Sequence, residues 1–209
     1  MATNAQLWAM IVGERVGLAD IFDGLSASQW QTPSLCEGWT VRDVAAHLVT
    51  PLSQSLPRLV LTLASYRFDF DRYSFTEARK NTMTGARLAA VLRAKKDHRF
   101  APPGFGPIAP LTDVVVHGQD VCIPLGIERE VAPDRALPIL DFLVSAKATR
   151  GFVQRGRLDG VTWVCPDLEW SFGEGAVVEG PARSVILMML GRHELAGLTG
   201  DGLELLHGR

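Results

Sequence analysis

Residues 111–121 read LTDVVVHGQDV, a run of valines broken by Asp113, His117 and Asp120. A stretch this apolar belongs in a protein core, and a core helix has no need of charge. On a helix, residues four apart stand one above the other, so Asp113 and His117 present a carboxylate and an imidazole to one point. Asp120, three positions beyond His117, lies near the same face. The arrangement resembles the paired ligands of an H-E-x-x-H helix, where side chains at i and i+4 share a metal that another element completes. Whatever fold the chain adopts has to bring a second element to that face.

The surrounding sequence is mostly helical in pattern. Leu7, Ile11, Val12, Val16, Leu18, Ile21 and Phe22 fall near helical spacing and predict a first helix over Asn4–Asp23, stopped by Gly24. Thr40, with Asp43 three residues on, has the form of a capping box, so a second helix starts near Val41 and runs towards Ser65. Pro51 predicts a kink or break within it. A third helix is expected over residues 76–97, then a loop in APPGFGPIAP. The 111–121 segment makes a fourth helix, closed by Pro124 and Gly126, and a fifth covers residues 133–149. Helices joined by mostly short loops suggest a bundle with a four-helix core. From Gly151 the pattern changes to short apolar pieces separated by Pro-Asp and Gly-Glu-Gly, which predict strands in a meander. A helix follows from Pro181 to near Gly191, then a short terminal element. The expected architecture is α+β, with a helical bundle over 1–150 and a small C-terminal α/β region over 151–209.

A net charge of -2 gives no electrostatic case for nucleic acid or an acidic membrane surface. Glu14 and Arg15 interrupt the first apolar stretch, and no basic segment precedes it, so neither a signal peptide nor a membrane span is expected and the location reads as cytoplasmic. Cys36, Cys122 and Cys165 are odd in number and irregular in spacing, unlike a disulfide framework or a paired zinc motif. They read as reduced thiols: Cys36 in a loop beside Glu37, Cys122 packed in the bundle, Cys165 in a strand.

His47 is the natural third ligand. It lies on the second helix among Ala45, Ala46, Leu48 and Val49 and faces the bundle interior if those neighbours are core. Two imidazoles and one carboxylate would leave positions open for water or substrate on zinc or a similar divalent ion. Each residue also has a plainer reading: His47 as a hydrogen-bonded helix histidine, Asp113 as a favourable charge near its helix start, Asp43 as a cap. His98, His193 and His207 have no partners at ligand spacing and read as surface or terminal residues. Trp39 is placed to wall the mouth of the site.

LCEGWTVRDVAAHLV together with LTDVVVHGQDVCIPLG resembles the mycothiol-dependent maleylpyruvate isomerase family, within the DinB-like metal-binding bundle superfamily. The tail DLEWSFGEGAVVEGPARSVILMMLGR and the later LTGDG resemble the family's small C-terminal α/β region, itself similar to sterol carrier proteins. The resemblance implies a divalent metal, zinc with nickel or another divalent ion as alternatives, on His47, Asp113 and His117. It also implies mycothiol as co-substrate, and a monomer or homodimer. The family's usual acid is glutamate, so Asp113 is one methylene shorter. Asp120 matches an aspartate that is not a ligand in the family, which suggests support of His117. Arg192 falls where the family carries an arginine facing its active site, implying contact with a substrate or thiol carboxylate; as a cation in the last turn of its helix it is equally explained.

The activity implied is addition of a metal-activated thiolate to a conjugated cis double bond, rotation about the resulting single bond, and departure of the thiol; relatives could use the same thiolate for S-transfer. Metal-assisted hydrolysis at the same residues and a non-catalytic binding or stress-response bundle are the alternatives. Thiol-independent turnover would mark the first, and inertness the second.

Overall fold

A computed structural model of the chain describes residues 2–192 and 196–206, so His193 and His207 lie outside the described residues. The fold is helix-rich with one three-stranded sheet, an α+β arrangement. It divides into two compact units, Ala2–Arg129 and Glu130–Arg209.

In the first unit α1 (Asn4–Asp23) starts on a capping box between Thr3 and Gln6, and α2 (Val41–Ser53) on one between Thr40 and Asp43. Both side chains of each box satisfy backbone N–H groups that a helix start leaves unpaired. Pro51 is carried inside α2, and the break expected there falls just after, at Gln54–Ser55, before α3 (Leu56–Ser65).

The expected third helix is instead two, α4 (Phe70–Lys80) and α5 (Gly85–Ala94). Between them the backbone finds other partners. The Arg42 guanidinium of α2 donates to the carbonyls of Asn81 and Met83, the Asn81 side chain accepts from Met83 N–H, and Thr84 caps α5. Gly85 is required at this start, because a Cβ there would lie 2.2 Å from the Trp30 ring. Ile108–Cys122 forms α6, with Pro110 in its first turn, where the missing N–H costs nothing.

α1 packs against α5 and α6, and α2 against α4, α5 and α6. Their shared core holds Leu18, Phe22, Trp30, Val44, Val49, Leu88, Leu92 and Val121, and it sets the faces of α2 and α6 towards each other. Arg15 is only 5% exposed within this unit. It donates to the carbonyls of Lys96 at 2.9 Å and His98 at 2.8 Å, tying the chain after α5 to α1. Burial lowers its pKa, opposed by the charges of Asp113 and Asp97. We expect Arg15→Met to destabilise the fold by about 2–4 kcal/mol, because two buried carbonyls lose a charged donor. An unchanged denaturation midpoint would show that those bonds contribute nothing.

The second unit opens with α7 (Pro133–Leu143), shorter than the expected 133–149 because the Val144 N–H turns back to Leu140 and Phe142 and the Ser145 hydroxyl takes the Phe142 carbonyl at 2.6 Å. The strands β1 (Val161–Cys165), β2 (Trp170–Phe172) and β3 (Ala176–Glu179) follow, ordered β2-β1-β3. This is not the expected meander: β2 is antiparallel to β1, but β3 is parallel to it, on its other edge. Gly173, Glu174 and Gly175 carry the chain across the start of β1 to reach that edge. A Cβ on Gly173 would lie 2.2 Å from the Val161 carbonyl oxygen, and one on Gly175 2.2 Å from that of Gly160. Val161, Trp163 and Cys165 alternate inward, and α8 (Ala182–Met189) packs against β1 and α7. A last helix, α9 (Gly202–Leu206), packs on β3. No helix among the described residues is long and apolar enough to cross a membrane.

Candidate metal centre

His47 sits on the α2 face that looks towards α6, and Asp113 and His117 stand one above the other on α6. The Nε2 atoms of both histidines approach the same oxygen, Asp113 Oδ1, at 3.2 Å from His47 and 3.4 Å from His117. The two rings meet edge to face with centroids 4.7 Å apart. Three donor atoms of the kinds that bind divalent ions thus converge within 4.8 Å of one another. Zinc bonds of about 2.0–2.2 Å at tetrahedral angles hold neighbouring donors roughly 3.3–3.6 Å apart, close to the spacing found. Aspartate, despite its shorter side chain, reaches both rings.

Asp120 stands behind His117. Its Oδ2 lies 2.9 Å from His117 Nδ1, and its side chain is fully buried. An ionised carboxylate only accepts, so Nδ1 carries the proton and Nε2 is the nitrogen offered towards Asp113. This carboxylate–histidine relay is the usual outer support of a metal ligand. We expect Asp120→Asn to weaken metal binding about 10–100-fold without removing a donor, measured by competition with a chromophoric chelator. Unchanged affinity would reduce Asp120 to a packing group.

The electrostatics match a cation site. At Asp113 burial favours the neutral acid, but His47 and His117 outweigh it and hold the carboxyl well below the usual carboxylate range. At His117 burial favours the neutral ring, yet Cys36, Asp113 and Asp120 outweigh it and push the imidazole well above its usual value. A carboxylate held ionised between two imidazoles is a donor set that a divalent cation would match.

Trp39 is 8% exposed, its ring 5.1 Å from that of His47 and 6.0 Å from that of His117, and Phe75 extends the wall at 6.4 Å from Trp39. Asp43 is the cap of α2. Arg192 belongs to the other unit, where its Nη1 donates to the Leu190 carbonyl at 2.9 Å. His98 is half-buried rather than a simple surface residue, and its Nδ1 finds no hydrogen-bond partner among the described residues.

The structure brings one further side chain to this centre. Cys36, which the sequence reads as a loop thiol, places Sγ 3.1 Å from Asp120 Oδ2 and 3.7 Å from His117 Nδ1. Its loop is held in place by a bridge between Pro33 and Thr40 and by the Leu35 N–H bond to the Asp120 carbonyl at 3.1 Å. Cys122 and Cys165 are fully buried, and burial pushes the Cys165 thiol up to about 12.

Two crystal structures resemble this fold, one of the mycothiol-dependent maleylpyruvate isomerase and one of a mutant of it in which a histidine is replaced by alanine. Each has a TM-score of 0.59 and covers 96% of this chain and 93% of the other, at 15% and 14% identity respectively. At that identity the likeness is one of fold. No curated protein matches the sequence. A family model described as the mycothiol maleylpyruvate isomerase N-terminal domain matches residues 13–101, which include Cys36, Trp39 and His47 but end before Asp113, His117 and Asp120. Residues 13–101 are thus similar to that family's N-terminal domain, and the fold that continues beyond them is like that of the solved isomerase.

Proposed function

We propose that this chain is a metal- and mycothiol-dependent enzyme that activates a thiol for isomerisation or S-transfer on a small electrophilic substrate. The observation that carries the reading is the convergence of His47 Nε2 and His117 Nε2 on one oxygen of Asp113. In this reading the first unit is a DinB-like bundle, the C-terminal α/β region is sterol carrier protein-like, and the protein works in the cytoplasm. Zinc suits a donor set of two imidazoles and one carboxylate, with a position left open.

A divalent ion held there would supply positive charge that favours the thiolate of a bound thiol over the neutral form. The protein's own part is positioning. Asp120 fixes the tautomer and tilt of His117, and Asp113 spans the two rings. Trp39 shields one side of the donors from water, which strengthens every charge interaction there. A role for Arg192 towards a carboxylate rests on the family resemblance alone.

The test is calorimetric titration of mycothiol into zinc-loaded protein. Saturable binding that disappears in the metal-free protein is expected. A zinc-loaded protein that binds no mycothiol would overturn the thiol part of the reading, and turnover of an ester or amide without thiol would favour hydrolysis.

A further inference from the structure

His117 offers a nitrogen on each side of its ring, and each side faces its own set of donors. Nε2 faces Asp113 and His47. Nδ1 faces Asp120 Oδ2 at 2.9 Å and Cys36 Sγ at 3.7 Å, and the sulfur and carboxylate oxygen are 3.1 Å apart. Sulfur, nitrogen and oxygen donors thus surround one point on the Cys36 side as closely as the first set does on the other.

We propose that Cys36, Asp120 and Nδ1 of His117 form a second cation site, selective for thiophilic ions such as cobalt(II), cadmium or zinc. Metal–sulfur bonds of about 2.3 Å with metal–nitrogen bonds of about 2.0 Å need sulfur and nitrogen roughly 3.5 Å apart, near the observed separation. The two contacts to Asp120 are shorter than an ion requires, by a few tenths of an ångström, as expected while hydrogen atoms and not a metal lie between them. Cys36 is half-buried where Asp120 is fully buried, so an ion would enter from the loop side. The loop itself is preformed: Trp39 N–H bonds the Cys36 carbonyl, Ser34 N–H bonds the Trp39 carbonyl, and Gly38 takes a φ of 75° that glycine adopts without strain.

An ion held there would bind the sulfur of Cys36, whose thiol proton leaves to solvent, and the Nδ1 lone pair of His117, so that the neutral ring carries its proton on Nε2. There the ring donates to Asp113 and cannot ligate an ion in the first site. One ring therefore serves one ion at a time, and a thiophilic cation on the Cys36 side switches the His47 side off. This second site does not depend on the first being occupied or catalytic.

The test is a cobalt(II) titration of the metal-free full-length chain, kept reduced with a phosphine, in the His47→Ala background, which removes a donor from the first site only. That variant is expected to take up cobalt with a near-ultraviolet thiolate-to-cobalt charge-transfer band. Adding Cys36→Ser should abolish the band and weaken uptake by at least ~10-fold, with circular dichroism confirming that the metal-free variant is folded. No charge-transfer band at saturating cobalt would overturn the proposal. So would a band that survives Cys36→Ser, since the sulfur would then be Cys122 or Cys165. If instead unmutated protein binds cobalt without the band and His47→Ala abolishes that binding, the second site fails while the first stands.

Discussion

Zinc-loaded protein purified without a chelating column is expected to retain its metal, and the His117→Ala variant to lose it. The expected loss in affinity exceeds the ~100-fold that removal of a supporting carboxylate can cause, because the substitution deletes a donor and leaves two. It also strands Asp120, a fully buried carboxylate, without its imidazole partner. His47→Ala should act as strongly on metal held between α2 and α6 while disturbing the fold less, since His47 keeps more exposure than His117, 17% against 11% for the side chains. Elemental analysis of both variants checks the result. Full occupancy in both would remove these residues from the metal centre and take the thiol-activating mechanism with them.

The largest stability effect is expected in the other unit. Gly175→Ala places a methyl group 2.2 Å from the Gly160 carbonyl oxygen and 2.5 Å from its carbon, both backbone atoms, at a φ of 127° that side chains rarely adopt. The sheet can relieve the clash only by parting β3 from β1. We expect a loss of about 3–5 kcal/mol, combining backbone strain with steric overlap. Because the damage is confined to the second unit, hydrogen exchange should speed in β1 and β3 while the amides of α2 and α6 stay protected. A midpoint within error of the unmutated protein would mean that the crossing is looser than its geometry.

What could be read from the sequence follows the range of the forces involved. Asp113 and His117 were legible because four residues make one helical turn, and His47 because its apolar neighbours turn it inward. The capping boxes of Thr3 and Thr40 are local, so α1 begins and ends where periodicity places it. Cys36 was not legible. Its charged neighbour in sequence, Glu37, argues against a reactive thiol, whereas the group it meets, Asp120, is brought by a backbone bond from Leu35. Arg15 looked like an interruption of an apolar run, and its partners are carbonyls in the chain that follows α5. The division between α4 and α5 hid for the same reason, since Arg42 supplies the hydrogen bonds that a continuous helix would have made for itself. Strand pairing was least accessible: Gly-Glu-Gly marks a turn, but only the contact with Gly160 and Val161 shows that the chain passes over β1 to its other edge.

The uneven exposure of the three donors has a consequence for what can approach them. The Asp113 side chain is 33% exposed while both imidazoles lie deeper, beside Trp39. A visitor from solvent therefore meets negative charge first. A divalent ion held by the three donors would make that entrance positive and favour a carboxylate or thiolate guest. On that reading the ion would bind before any anionic guest.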